Sequence, residues 1–189
     1  MTAGRGISHS EFSTPETTVL HCAQLWIALP DKARHMDPTF AHFKPEPMGT
    51  GDWTVRVFLG SLSVSGNTGA EHYSISPVAT HTELVGAEIL MEPGTRIRVA
   101  LKAHHEHGIL LDSGSLKIDA DDLPLDNLAF LPAGYQAITL TAGNTPVRAL
   151  LIGGEPLHEK ILMWWNFVGR THEEIVKFRA QWQAEIGAE

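Results

Sequence analysis

From Trp53 onward the apolar residues come in short runs, several of them alternating with polar ones, and each run stops at turn-forming residues. Alternation with a period of two places one face of an extended strand in the core and the other in water. Thr54–Leu59 alternates imperfectly and stops at Gly60. Residues 61–76 are rich in Ser, Gly and Asn and predict a loop, with Gly66, Asn67 and Gly69 supplying turn conformations. Thr80–Met91 predicts a strand closed by Glu92, Pro93 and Gly94. Further strands are predicted over Arg96–Leu101, Gly108–Leu111, Leu116–Ile118, Leu128–Leu131, Ala137–Leu140 and Val147–Ile152. Short strands with turn signals roughly every 8–12 residues predict an all-β sandwich or barrel. No helical pattern is interleaved, so a βαβ arrangement is not expected.

The two ends of the chain read differently. Residues 12–19 predict a loop, and Leu20–Leu29 is an apolar run stopped by Pro30, as a buried strand would be. Residues 31–47 lack periodicity and predict an irregular crossing segment with Met36 and Phe40 as anchors. At the other end, Thr171-His172-Glu173-Glu174 has the Thr-x-x-Glu form of a capping box. Ile175, Phe178 and Trp182 follow at helical spacing, so a C-terminal helix is predicted, its apolar stripe docking on the barrel.

Composition narrows the partners. The chain has 189 residues and a net charge of −8, and its 14 Lys and Arg are scattered, so no basic face is available for direct nucleic-acid binding. One cysteine, Cys22, excludes an intrachain disulfide and fits a reducing, cytoplasmic setting. No apolar run approaches the ~20 residues of a membrane helix. Serine-nucleophile motifs, P-loops and dinucleotide fingerprints are absent.

The chemistry begins at the first residues. Gly4 and Gly6 permit a tight turn, and a short extended run then carries His9 and Glu11 two residues apart. On a strand these side chains project to the same face. An imidazole beside a carboxylate is half of the two-His, one-carboxylate set that holds non-haem Fe(II).

Met1-Thr2-Ala3-Gly4-Arg5-Gly6-Ile7 followed by His9-Ser10-Glu11 resembles the pirin family of two-domain cupins. So do Leu20-His21, Gln24-Leu25-Trp26-Ile27 and Leu29-Pro30, and, near the other end, Gly153-Gly154-Glu155-Pro156-Leu157, Phe167-Val168 and Thr171–Ile175. The resemblance implies a cupin double-stranded β-helix, or jelly roll: one complete barrel, the remnant of a second and a C-terminal helix. It implies that this is the C-terminal portion of a bicupin, beginning within the first cupin domain. The expected divisions are 1–50 (remnant and crossing segment), 51–152 (C-terminal cupin barrel) and 153–189 (tail with helix). It also implies Fe(II) held by four side chains. His9 and Glu11 are two of these, with Glu11 also the candidate catalytic base; the family's other two ligands are histidines upstream of the Gly-rich turn, at positions that fall before the first residue of this sequence.

Two functions follow from the resemblance, beside a third reading in which the chain is a remnant, an intact C-terminal cupin whose incomplete first domain leaves it without activity. One is quercetin 2,3-dioxygenase-type ring cleavage of a flavonol-like aromatic substrate. The other is a non-catalytic binding module, a transcriptional co-regulator that contacts a protein partner. The cupin metal motifs, laid on the barrel, place their ligand positions at Ala100, Lys102, His107 and Ala137, so the family's second barrel is expected to lack metal. His104-His105-Glu106-His107 is nonetheless dense in ligand types, and His105 and His107 share a face if extended. A metal there needs a third convergent group, which spacing does not supply. The run otherwise reads as an exposed hairpin or a polar pocket lining. Asp119, Asp121 and Asp122 read as an acidic turn.

Overall fold

The computed structural model describes residues 1–187. The chain packs as two compact units: Met1–Phe40 together with the chain from Leu157 onward, and Ala41–Pro156.

The second unit is built from β1 (Met48–Gly49), β2 (Trp53–Leu59), β3 (Ser61–Ser65), β4 (Glu71–Ile75), β5 (Leu84–Met91) and β6 (Arg96–Ala100). It continues with β7 (Glu106–Ser113), β8 (Leu116–Ile118), β9 (Asp121–Leu123), β10 (Leu128–Leu131), β11 (Ala137–Ala142) and β12 (Val147–Gly154). These form two six-stranded sheets, ordered β1-β2-β5-β12-β7-β10 and β4-β3-β6-β11-β8-β9, with neighbours antiparallel. The result is the expected all-β jelly roll.

Alternation decides which face goes inward. On β2 the buried residues are Trp53, Val55 and Val57; on β6 they are Ile97 and Val99, with Arg96 and Arg98 exposed at the alternate positions. Ile89 and Met91 of β5, Ile109 and Leu111 of β7 and Leu151 of β12 join Val64 of β3 and Ile138 and Leu140 of β11 in one apolar core. Each such side chain contributes about 1.5–3 kcal/mol on leaving water.

Gly60 alone separates β2 from β3, which lie in different sheets. Its φ is 64°, and a Cβ there would lie 1.8 Å from the Leu84 carbonyl oxygen. Only glycine fits this corner without displacing β5.

Two expectations need correction here. Residues 61–76 are not a loop, because β3 and β4 form an antiparallel hairpin within them. Composition hid the period: in Ser61-Leu62-Ser63-Val64-Ser65 the two apolar residues are buried and the serines are half-buried. The predicted strand over Thr80–Met91 begins only at Leu84.

The first unit holds little regular structure. Thr2 and Thr39 form an isolated bridge, β13 (Leu162–Trp164) pairs with β14 (Phe167–Gly169), and α1 spans His172–Ile186. Leu20–Leu29 is not a strand, and neither is the run carrying His9 and Glu11. A strand needs a neighbour to take its N–H and C=O groups, and among the described residues neither run has one. Phe12, Val19, Leu20 and Trp26 are exposed.

The capping box forms as expected. The Thr171 hydroxyl accepts from the Glu174 N–H at 3.2 Å, and Gly187 closes the helix at φ 68°. Ile175 is buried, and Trp182 meets the edge of Phe167, with ring centroids 6.3 Å apart. The Glu174 carboxylate accepts two hydrogen bonds from the Arg34 guanidinium, at 2.7 and 3.0 Å, and one from the Arg170 N–H at 2.7 Å. Arg170 in turn donates to the Leu29 carbonyl at 2.7 Å. These bonds tie the irregular N-terminal segment to the start of the helix.

Core truncation has a definite cost. Ile89→Ala should destabilise the protein by about 3 kcal/mol in chemical denaturation. The Glu174 carboxyl is held at about 2, well below its ordinary value, first by its hydrogen bond to Arg34. A depressed carboxylate stabilises the folded state above its unfolded pKa and loses that contribution on acidification. Stability should therefore fall as pH drops from about 4.5 toward 2. Arg34→Ala should flatten that slope and cost about 1 kcal/mol at neutral pH.

Candidate functional site

The β6–β7 connection and the residue preceding β5 converge on one carboxylate oxygen. Lys102 to His105 close a turn through the His105 N–H, which donates to the Lys102 carbonyl at 2.9 Å. Glu83 is fixed through its backbone, its carbonyl accepting from the Glu155 N–H at 2.9 Å. Glu83 Oε2 then accepts from Lys102 Nζ at 2.6 Å and lies 3.3 Å from His104 Nε2 and 3.2 Å from His105 Nε2.

The environments of the two histidines differ. His104 is exposed, whereas the His105 side chain is 1% exposed. Their rings meet edge to face with centroids 4.6 Å apart. His107 is also buried, its ring centroid 5.8 Å from that of His105. Among the described residues, neither His105 Nδ1 nor His107 Nδ1 has a hydrogen-bond partner.

Charge and burial set the protonation states. Lys102 chiefly, with His105 and His104, holds the Glu83 carboxyl at about 2. Burial lowers the pKa of His105 despite its contact with Glu83. His107 is pushed down to about 4, by burial and then by the neighbouring His105. Both buried imidazoles are thus neutral near pH 7 and can offer a ring nitrogen as a lone-pair donor.

A cavity of about 170 Å³ adjoins the cluster and is lined in part by Ser61, Ser63, Tyr73, Lys102, His105 and His107. Ala100, Lys102 and His107, three positions the cupin motif assigned to ligands, all border it. Ala100 cannot coordinate, and Lys102 brings a cation. The pocket-lining reading of the histidine run therefore holds for His105 and His107, while His104 lies at the surface. Sequence reasoning missed Glu83. It lies 21 residues before His104, and only the approach of the β5 and β7 ends joins them.

The other candidates behave differently. His9 and Glu11 lie on irregular chain, with His9 Nε2 3.9 Å from Glu11 Oε1 and side-chain exposures of 45% and 80%. No third His, Cys, Asp or Glu completes a metal-binding group with them among the described residues. Two donors fall short of the three protein ligands of a two-His, one-carboxylate iron site, so this pair does not fit iron by itself. Asp119 is a turn residue at φ 52°, and Asp121 and Asp122 lie on β9.

An antiparallel jelly roll with histidines and a cavity between strand ends is a cupin-type barrel. Residues 86–186 match the Pirin C-terminal cupin domain, and the chain belongs to that family. It is 33% identical over 97% of its length to PA1205 of Pseudomonas aeruginosa, whose quercetin 2,3-dioxygenase name is itself provisional. It is 28% identical over 97% of its length to a pirin-like protein of Caulobacter vibrioides. The chain spans 55% and 62% of these two relatives. A crystal structure of quercetin 2,3-dioxygenase from Acinetobacter baumannii superposes with a TM-score of 0.72, at 34% identity over 85% of this chain and 50% of that one.

Gly153 of β12 pairs with His107. A Cβ at Gly153 would lie 2.5 Å from the Glu106 carbonyl oxygen and 2.8 Å from His107 Cδ2. Gly153→Ala should therefore destabilise the barrel by about 1–3 kcal/mol. It should also shift the His107 ring resonances, read by denaturation and NMR respectively.

Proposed function

We propose that this pirin-family cupin takes part in quercetin 2,3-dioxygenase-type cleavage of a flavonol-like aromatic substrate. The observation that carries this reading is the 34% identity, sustained over 85% of the chain, to the Acinetobacter baumannii enzyme of that name. His9 and Glu11 are the two iron ligands this chain would contribute, with Glu11 also the candidate base. Further donors must then come from outside the described residues, since none stands beside this pair. The exposure of both side chains is compatible with such completion. A cytoplasmic setting agrees with the single exposed thiol of Cys22, and no helix among the described residues is long and apolar enough to cross a membrane.

A second reading is favoured by one feature. Phe12, Val19, Leu20, Trp26 and Ile27 of the N-terminal segment are all exposed apolar side chains. Such a surface suits a non-catalytic module that docks a protein partner, as a co-regulator would.

Ferrous iron content and flavonol absorbance separate the two. On the dioxygenase reading, the iron-loaded protein consumes a flavonol aerobically, and His9→Ala lowers both bound iron and turnover at least tenfold. Equal turnover in His9→Ala would remove this pair from the site. Absence of both iron and turnover would leave the docking role.

A further inference from the structure

We infer that Glu83, His104 and His105 form a binding site for one divalent transition-metal ion of the Zn²⁺ class, made of residues other than His9 and Glu11.

The donor set comes first. Two imidazoles and one carboxylate are the borderline nitrogen and oxygen ligands such ions take. Their spacing comes second. A tetrahedral ion with bonds of about 2.0–2.1 Å requires ligand atoms about 3.3–3.4 Å apart. Glu83 Oε2 lies 3.3 Å from His104 Nε2 and 3.2 Å from His105 Nε2, and all three donors fall within 4.8 Å of one another. Two edges of the coordination polyhedron are thus close to the required length.

The ligands are also held in place. His105 is buried and its backbone is bonded into the turn that precedes β7. The Glu83 backbone extends the β5–β12 ladder. A metal would therefore find His105 and the Glu83 backbone on a rigid base and need to order the half-exposed Glu83 carboxylate and the exposed His104 ring.

Lys102 supplies a cation to the same oxygen at 2.6 Å. This ammonium balances Glu83 when no metal is bound. Its side chain is half exposed on a flexible stem and can turn to solvent when a divalent ion takes its place. Three protein ligands leave one position for water or a small ligand, as in zinc sites that remain open. Of the three ligands His105 also borders the adjoining cavity, together with Lys102 and His107.

Zn²⁺ titration by calorimetry, after chelator treatment, tests the assignment. It is run in the His9→Ala/Glu11→Gln background, so that the result is independent of the proposed iron ligands. One Zn²⁺ per chain is expected. Glu83→Gln and His104→Ala should each weaken binding at least tenfold. Both positions are exposed, so the variants should keep the melting temperature of the background protein, which shows that weakened binding is not unfolding. Zinc should also shift the ring resonances of His104 and His105 in the background protein and leave those of His42 in place. No heat at millimolar Zn²⁺, or unchanged affinity in both variants, would overturn the assignment.

Discussion

Apolar side chains on the inner faces of two twisted sheets must cover one another, and the placement of everything else in Ala41–Pro156 follows from that contact. Val57, Ile89 and Leu151 from one sheet share a core with Val64, Val99 and Leu140 from the other. A one-residue slip in any of these strands would turn its apolar set to solvent, so the register is strongly fixed. Fixed register in turn sets the strand ends. The ends of β5, β6 and β7 deliver Glu83, Lys102, His105 and His107 to one small region.

That region shows how burial and charge divide the labour among similar residues. Three histidines lie within four positions, yet His104 is exposed while His105 and His107 are buried. Desolvation keeps the buried pair neutral, whereas a half-exposed carboxylate with three nitrogen partners stays ionised far into acid. Neutral nitrogen donors beside an ionised oxygen are what a metal ion needs. Where the cupin motif would put histidines, this barrel has Ala100 and Lys102. The ligand types stand a few residues further on.

The other unit relies on different forces. Its extended segment has no neighbouring strand among the described residues, so its backbone cannot be satisfied by a ladder. Charged hydrogen bonds from Arg34 and Arg170 anchor it to the helix start. Membership of the pirin family rests on the matched residues 86–186, most of which lie in the barrel, and the likeness to named relatives extends through the N-terminal segment.

Much of this was legible in the sequence. Alternating runs and regular turn residues fixed the all-β class, because a period of two can bury only one face of a strand. Thr171 and Glu174 marked the helix start, because capping is local chemistry. The short motifs at both ends gave the family. The β3–β4 hairpin was hidden because serine content outweighed the alternation of Leu62 and Val64. Leu20–Leu29 misled because apolar character alone does not supply a pairing partner. Glu83 as the companion of His104 and His105 could not be read from spacing at all. Residues far apart in the chain meet only when strand pairing closes the sheets, and that pairing is a property of the whole core. Sequence therefore determined the strand class, the cap and the donor types; tertiary structure decided which donors meet, because convergence depends on register and burial summed over many strands.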